Sequence, residues 1–449
     1  MKKYVAKLLV AFLVVPALAY WNGVAAERVP AGINHGKKYE LTVIPDKKKS
    51  YRIGEKICFG IRLAGGTGQF FSGMNIACTI TCDGKIIEKK LVKISDKPLN
   101  CETVLKHPGW CSVQVELQDQ NGKAVRIHGK KVRSGAGCMV EPEKIRAGSE
   151  EPVDFKLFWE SQKNALARIP LKTTRQEIAL KGMYAEGFKC YDVKVSCVDN
   201  TPVSGYLTIP LNAESRSLPA VVSFHGSGVR SAKKCFRKKA ISFDINAHGI
   251  LNGQPDRYYN ELEQGKLRDY RHRNKDNRDK FYFRNMYLRA LRALEYIKTL
   301  PEWDGRNLIV VGASQGGAQA IAAAALDPQV SLCLSGVPAL CDHAGSLVGR
   351  QSGWPRLFFA ENGKPDKAEV AEASRYYDCA NFTKYIKIPV FMTAGMLDNT
   401  CVPTSVYAAY NNLPDATEKH MTVFYTSGHV SRNPAGQKYL EQVLNGGKH

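Results

Sequence analysis

The sequence reads Leu308-Ile309-Val310-Val311-Gly312-Ala313-Ser314-Gln315-Gly316-Gly317 at its most informative point. Four branched apolar residues predict a buried strand, and the Ala-rich stretch from Gln315 to Ala325 predicts a helix. Between them stands a G-x-S-x-G motif, whose glycines remove side chains that would clash where strand and helix meet. The pattern predicts a nucleophilic Ser314 on a sharp turn, beside a helix N-terminus whose field favours developing negative charge.

Strands and helices alternate on either side of this motif. An antiparallel pair of strands is predicted first, and strands separated by helices follow, as in a mostly parallel sheet covered on both faces. The predicted strands are 191–198, 203–209, 220–224, 240–245, 308–311, 330–334, 389–394 and 421–425, and the predicted helices are 153–167, 281–300 and 315–325. With the serine motif, this order predicts a doubly wound α/β-hydrolase fold.

A serine hydroxyl needs a base to become a nucleophile, and in this fold an acid and then a histidine follow the serine along the chain. Asp398 comes just after the predicted strand 389–394, and His429 comes just after the predicted strand 421–425. Both therefore leave the carboxyl ends of late strands, where α/β sites assemble. We predict that His429 is the general base and that Asp398 holds its tautomer and stabilises the imidazolium.

Two neighbouring residues compete for these roles. His420 precedes the last predicted strand and would lie at its opposite end. Asp415 stands in Pro414-Asp415-Ala416, a composition typical of a surface turn. We therefore prefer Asp398 and His429.

An oxyanion hole requires two backbone N–H groups that point at one position. One is predicted to come from Gln315, which follows the nucleophile, and the other from the loop after strand 220–224. That loop reads His225-Gly226-Ser227-Gly228, and Ser227 is the predicted donor. His225 is interpreted as structural, because it lies at the strand end and a base is already assigned.

The N-terminus has the pattern of a signal peptide. A basic start precedes an almost wholly apolar run from Val5 to Ala19, and small residues continue to Ala26, where cleavage of residues 1–26 is predicted. The run is too short for a comfortable membrane span, so we expect no membrane insertion after cleavage. This pattern predicts a secreted or periplasmic protein.

Three further units are predicted. Residues 27–140 contain short strand-forming runs separated by turn signals such as Asp83-Gly84, which predict a small all-β, Ig-like sandwich. Its role is left open between a packing or spacer domain and a carbohydrate-binding module. A polar, proline-containing linker is predicted over 141–152, and the catalytic domain is predicted over 153–449. The segment from Asp256 to Lys280 is interpreted as an exposed insertion, as part of the site entrance or as an oligomer contact.

The composition is that of an ordinary globular protein, with 24% charged and 44% hydrophobic residues. The net charge of +22 could attract a polyanionic partner such as a nucleic acid. The basic residues are scattered, however, and no nucleic-acid-binding motif stands beside them. We therefore expect no nucleic-acid partner. The 13 cysteines permit disulfides in an exported protein, and their odd number leaves at least one unpaired.

No metal or cofactor is predicted. The histidines at 225, 248, 272 and 343 fall in different loops, and none has an H-E-x-x-H neighbour. The spacing Cys78-x3-Cys82 lacks the second pair that would favour a zinc site. No phosphate-binding loop or G-x-G-x-x-G motif is present.

The catalytic half resembles the acetyl xylan esterase and cephalosporin-C deacetylase family, carbohydrate esterase family 7, over about residues 150–435. The likeness rests on Pro152-Val153-Asp154-Phe155 with Phe158-Trp159, Ser204-Gly205-Tyr206-Leu207 with Ile209-Pro210, Arg289-Ala290-Leu291-Arg292-Ala293-Leu294-Glu295, the G-x-S-Q-G motif at Gly312–Gly316, and Ile388-Pro389-Val390 to Asp398 followed by Pro403. The resemblance implies hydrolysis of small acyl esters, typically O-acetyl groups on plant-polysaccharide sugars, without a cofactor. It also suggests a homo-oligomer.

The chain departs from the family pattern at two points. Asn252 stands where the family has the arginine of an Arg-Gly-Gln motif, and His429-Val430 stands where the family has His-Glu. Triad chemistry survives both changes. The alternatives are a general carboxylesterase or a peptidase of the same fold, or a carbohydrate-binding protein without catalysis.

Overall fold

The computed structural model describes residues 40–64, 73–94, 98–358 and 367–446. The predicted signal peptide lies outside these residues. Within them, no helix has both the length and the apolar character needed to cross a membrane.

The N-terminal part consists of antiparallel sheets. Its strands are β1 (Glu40–Pro45), β2 (Lys56–Ala64), β3 (Asn75–Cys82), β4 (Lys85–Lys93), β5 (Leu99–Val104), β6 (Gly109–Gln118), β7 (Arg126–Ile127), β8 (Lys130–Lys131) and β9 (Arg133–Val140). One sheet has the order β1-β2-β5, a second has the order β4-β3-β6-β9, and β7 pairs with β8. Alternate side chains of both larger sheets point into a shared apolar core, so these strands form a β-sandwich.

The second part contains a nine-stranded sheet. Its strands are β10 (Thr173–Glu177), β11 (Phe188–Val195), β12 (Val203–Pro210), β13 (Leu218–Phe224), β14 (Ile241–Ile245), β15 (Trp303–Ala313), β16 (Leu332–Gly336), β17 (Val390–Gly395) and β18 (Lys419–Phe424). They lie in the order β10-β11-β12-β14-β13-β15-β16-β17-β18. The pairings from β10 to β14 are antiparallel, and those from β14 to β18 are parallel.

Helices cover both faces of this sheet. They are α1 (Phe155–Ala167), α2 (Met183–Gly187), α3 (Asp256–Gln264), α4 (Tyr282–Ile297), α5 (Gln315–Leu326), α6 (Ala368–Ser374), α7 (Cys379–Phe382), α8 (Pro403–Asn411) and α9 (Pro434–Leu444). Val222 and Val310 join the core that includes α4 and α5, whereas their neighbours Val221 and Ile309 join the core that includes α9. Successive strand residues are thus buried on opposite faces, which explains their near-continuous apolar sequences. The predicted doubly wound α/β-hydrolase fold is confirmed.

The sandwich packs against the loops at the carboxyl edge of the large sheet. The indole Nε1 of Trp110 donates to the carbonyl oxygen of Met396 over 2.8 Å, and the backbone N–H of Gly137 donates to the carbonyl oxygen of Tyr425 over 2.8 Å. A Cβ at position 137 would lie 2.4 Å from the Met396 oxygen, so β9 needs glycine there. Gly135 and Gly137 also hide β9 from sequence analysis, because glycine usually signals a turn.

Residues 141–152 connect the two parts and lie against the catalytic part. The side-chain amide of Asn411, at the end of α8, donates to the carbonyl oxygens of Pro142 and Ile145 over 2.7 and 2.9 Å. Ile145 is buried in the core of the large sheet. The domain boundaries drawn from the sequence remain predictions.

Candidate active site

Ser314 occupies a strained turn between β15 and α5. Its backbone has φ 57° and ψ −125°, a conformation that non-glycine residues rarely adopt and that is typical of functional turns. A Cβ on Gly312 would lie 2.1 Å from the carbonyl oxygen of Gly316, and a Cβ on Gly316 would lie 2.1 Å from that of Phe224. The two glycines therefore allow strand and helix to approach closely enough to hold Ser314 at the end of the sheet.

Asp398 and His429 meet in front of two neighbouring parallel strands. We call residues 396–402, between β17 and α8, the acid loop, and residues 425–433, between β18 and α9, the histidine loop. His429 Nδ1 lies 2.7 Å from Asp398 Oδ2, and the carboxylate is fully buried while the imidazole is 34% exposed. The other oxygen, Oδ1, accepts backbone N–H groups of Thr400 and Cys401 over 2.7 and 2.9 Å. Both oxygens of the buried carboxylate are thus partnered, as a desolvated charge requires.

The two competing residues lie elsewhere. His420 is near the start of β18, where its ring stacks on Phe391 and its Nε2 lies 3.1 Å from Glu418. The Asp415 side chain is fully exposed and lies 4.0 Å from Lys419. Neither contacts Asp398 or His429 among the described residues.

Cys401 is a member of this cluster that sequence analysis missed. Its sulfur, an Asp398 oxygen and a His429 nitrogen all lie within 4.8 Å of one another. Burial raises the pKa of the Cys401 thiol well above its usual range, the Asp398 charge adds to this, and a hydrogen bond with the Ser314 side chain opposes it. The thiol therefore stays protonated and links the serine to the acid loop. No sequence signal marks it, because thirteen cysteines are scattered along the chain.

The predicted oxyanion loop passes beside the elbow. A Cβ on Gly226 would lie 3.6 Å from the Ser314 Cβ, which places the loop from His225 to Gly228 next to the nucleophile. Gln315 begins α5 and is fully buried, whereas Ser227 is exposed. Their backbone N–H groups therefore belong to segments that flank Ser314 on two sides.

Tyr270 joins these two segments. Its hydroxyl donates to Gln315 Oε1 over 2.5 Å and accepts the backbone N–H of Gly228 over 3.5 Å. Burial raises the pKa of this phenol above its usual range, so the hydroxyl keeps its proton.

Tyr270 lies in the segment from Asp256 to Lys280, which also contributes Leu267 to a cavity of about 800 Å³ beside His248. The part of this segment around Tyr270 is therefore buried and contacts both segments that flank Ser314.

His225 holds the base of the oxyanion loop. Its Nε2 accepts the backbone N–H of Ala247 over 3.1 Å, and its Nδ1 lies 2.6 Å from the carbonyl oxygen of Gly226. Burial lowers the pKa of His225 to about 4, and the nearby Arg230 charge acts in the same direction. The ring is therefore neutral at pH 7 and connects two loops.

Asn252, which departs from the family pattern, is fully hydrogen-bonded. Its Nδ2 donates to Asp192 Oδ1 and Ser204 Oγ, each over 3.0 Å. Its Oδ1 accepts from the backbone N–H of Ala232 and from Asn246 Nδ2 over 3.0 and 2.9 Å. The amide satisfies a buried polar cluster without the charge that an arginine would bring.

The sheet order, with a serine elbow after β15 and an acid–imidazole pair on the loops after β17 and β18 at the same carboxyl edge, defines an α/β-hydrolase. Residues 139–442 match the family model described as acetyl xylan esterase (AXE1). The chain therefore belongs to the acetyl xylan esterase family and is a carboxylic ester hydrolase, which confirms the predicted resemblance.

Individual relatives agree with this assignment. The chain is 31% identical over 331 residues to the acetyl esterase Axe7A of Xylanibacter ruminicola, covering 71% of this chain and 70% of that protein. It is similar to the structure of an acetyl xylan esterase from Paenibacillus sp. R4, with 26% identity, a TM-score of 0.56, and coverage of 68% of this chain and 98% of that chain. Acetyl xylan esterase 1 from Thermoanaerobacterium sp. JW/SL YS485 shares the fold at 22% identity and a TM-score of 0.54, with coverage of 68% and 97%.

Proposed function

We propose that this protein is a serine esterase that removes O-acetyl groups from sugars of plant polysaccharides, with Ser314, His429 and Asp398 as its catalytic triad. The observation that carries the proposal is the contact of His429 Nδ1 with the buried Asp398 carboxylate at 2.7 Å, beside Cys401, whose thiol hydrogen-bonds with Ser314. The substrate class is proposed from the names of the similar proteins, an acetyl esterase and acetyl xylan esterases.

The first half-reaction would acylate the serine. Because the imidazole Nδ1 faces the acceptor carboxylate, it holds the proton, and Nε2 is left to take the proton of the Ser314 hydroxyl. The serine oxygen attacks the acetyl carbonyl carbon, and the N–H groups of Gln315 and Ser227 stabilise the oxyanion. The imidazolium then gives its proton to the departing sugar oxygen, so that the sugar alcohol leaves and the acetyl-enzyme remains.

The second half-reaction repeats these roles with water. His429 Nε2 removes a proton from a water molecule, and the resulting hydroxide attacks the acetyl carbon. The same proton returns to the Ser314 oxygen as acetate leaves, and the enzyme is restored. The 34% exposure of the imidazole side chain is consistent with access for water and sugar.

Acetate release from acetylated xylooligosaccharides tests this proposal. We expect release by the wild type and by Ser215→Ala, a matched change at an exposed serine, and a loss on the order of 10⁴-fold or more for Ser314→Ala. Activity on p-nitrophenyl acetate without release from the oligosaccharides would keep the esterase and reject the xylan substrate. Hydrolysis of peptides in preference to esters would favour a peptidase, and glycan binding without hydrolysis would favour a binding protein.

We also propose that the protein is exported, on the strength of the predicted signal peptide. Expression of the full chain in a Gram-negative host, followed by fractionation and N-terminal sequencing, tests this. The expected product is extracytoplasmic and begins at Glu27, after cleavage behind Ala26. A cytoplasmic product that retains the apolar run would contradict it.

A further inference from the structure

Three metal-ligating side chains meet at the end of the sandwich that faces the acid loop. Cys82 ends β3, Asp83 lies in the turn to β4, and His107 lies between β5 and β6. The cysteine sulfur is 3.7 Å from Asp83 Oδ2 and 4.0 Å from His107 Nε2, and one ligand atom of each residue lies within 4.8 Å of the others. Tetrahedral zinc with bonds of about 2.0–2.3 Å places its ligand atoms roughly 3.3–3.7 Å apart, so small side-chain shifts would complete the geometry.

The imidazole of His107 is oriented as in metal sites. Its Nδ1 lies 3.2 Å from the carbonyl oxygen of Pro108, which can only accept a hydrogen bond. Nδ1 therefore carries the proton, and Nε2 presents its lone pair to the Cys82 sulfur at 4.0 Å. Histidines that bind metals almost always donate their other ring N–H in this way, which fixes the tautomer and raises the basicity of the ligating nitrogen.

The Asp83 carboxylate is held by one oxygen and turned toward Cys82 with the other. Oδ1 accepts the backbone N–H of Trp110 over 3.3 Å, whereas Oδ2 points toward the sulfur. A Cβ on Gly109 would lie 2.7 Å from Oδ2, so the absence of a side chain there makes room for this oxygen. The turn has φ 46° at Asp83 and 80° at Gly84, the signature of a tight hairpin, and it directs the carboxylate back over β6.

The cluster combines burial with access. Cys82 and Asp83 are each only 5% exposed, and His107 is exposed to solvent. A metal ion can therefore reach the cluster past the imidazole and then lie on two buried ligands. A thiolate and an imidazole with one carboxylate favour Zn²⁺ over Mg²⁺ or Ca²⁺, which prefer oxygen ligands.

We propose that Cys82, Asp83 and His107 form a zinc site, with water as the fourth ligand. Binding would replace the thiol proton of Cys82 by the metal and release that proton to solvent. The site would also stabilise the contact between the two parts of the chain. Asp83 accepts the backbone N–H of Trp110, and the Trp110 indole donates to the carbonyl oxygen of Met396 in the acid loop. This proposal does not depend on the acetylated substrate.

Metal titration of the chelator-treated, reduced full chain tests the proposal, with Co²⁺ as a spectroscopic probe and Zn²⁺ in competition with a chromogenic chelator. Asp398, Cys401 and His429 form a second set of three possible ligands, so variants must separate the two. We expect one equivalent of metal and a thiolate-to-cobalt band in the wild type, in Cys401→Ser and in His128→Ala, a matched change at an exposed histidine of the sandwich. Affinity should fall at least about 10- to 100-fold in Cys82→Ser and His107→Ala.

Thermal unfolding supplies a second readout. Zn²⁺ should raise the Tm of the wild type and of His128→Ala and leave that of His107→Ala unchanged, because a ligand that binds only the folded state stabilises it. A cobalt band that survives in Cys82→Ser and disappears in Cys401→Ser would overturn the proposal in favour of the catalytic cluster. Absence of metal binding by the wild type and all variants would overturn the proposal and show that the three side chains only form hydrogen bonds at the end of a hairpin. A disulfide between Cys82 and Cys111, its directly opposed residue on β6, would also overturn it.

Discussion

His429 Nδ1 and Asp398 Oδ2 lie 2.7 Å apart, and the carboxylate is completely buried while the imidazole reaches solvent. This contact sets the proton on Nδ1 and leaves Nε2 available for the role of general base that we propose. We expect Asp398→Asn to lower kcat by about 10³- to 10⁴-fold, because the new amide would donate to Nδ1 and select the wrong tautomer. The remaining amide oxygen can still accept the N–H groups of Thr400 and Cys401, so the fold should persist.

Kinetics with p-nitrophenyl acetate and circular dichroism of the same samples check this expectation. Asp415→Asn, a change at a fully exposed carboxylate, serves as the control and should match the wild type. Unchanged turnover in Asp398→Asn would remove this residue from the triad.

Tyr270→Phe should weaken the oxyanion site without affecting substrate binding. The phenol hydroxyl connects Gln315 Oε1 with the N–H of Gly228, and its loss frees both segments that flank Ser314. One lost hydrogen bond of about 1–1.5 kcal/mol corresponds to a roughly tenfold lower kcat with KM little changed. The control is Tyr258→Phe on α3, which should behave as the wild type. A change in KM alone would show that Tyr270 contacts substrate instead of positioning the site.

Trp110→Phe tests whether the sandwich supports the acid loop. The change removes the indole donor and leaves the Met396 carbonyl oxygen without it, at an expected cost of about 1–3 kcal/mol in the free energy of unfolding. Because Met396 is two residues before Asp398, we expect kcat to fall as well. Trp303→Phe is the matched control, since its indole donates to the Asn307 carbonyl over 3.3 Å near the start of β15, at the far end of the sheet.

Denaturant unfolding and kcat measured on both tryptophan variants separate the two effects. Trp303→Phe should lose stability and keep its activity. Equal activity in the two variants would show that the sandwich does not position the acid loop.

The burial of His343 predicts part of the pH dependence of the free energy of unfolding. Burial lowers the pKa of this histidine to about 4, with the Asp342 charge acting in the opposite direction, and neither ring nitrogen has a hydrogen-bond partner among the described residues. In the unfolded chain it titrates near pH 6.5, so protonation favours unfolding. Its stabilising contribution is complete above about pH 6.5 and is lost as the pH falls toward 4.

The expected loss through this residue between pH 7.5 and pH 5 is about 2 kcal/mol in the free energy of unfolding. Urea unfolding at both pH values should show that His343→Leu lacks this part of the loss. His128→Leu, at an exposed histidine, should keep the full wild-type pH dependence. An identical pH dependence in the wild type and His343→Leu would contradict the expectation.

The central part of the fold follows from local sequence. The glycines around Ser314 are required because the strand before it and the helix after it approach too closely for side chains. The local sequence pattern therefore predicts the elbow directly. Strand β10 was not predicted, because its residues are polar and exposed along its whole length and lack alternation. Strand β9 was also not predicted. Its glycines are required by close approaches to the backbone of other segments, which the sequence does not reveal.

The order of Ser314, Asp398 and His429 along the chain, and their places after strands, can be read from the residues alone. The contact of the acid with the imidazole, and the positions of Tyr270 and Cys401 beside them, depend on which strands and loops are neighbours in space. The same holds for Cys82, Asp83 and His107, which come from two separate turns of the sandwich. Local patterns reflect interactions between residues a few positions apart, whereas these clusters are formed by long-range packing, which no short stretch of sequence encodes.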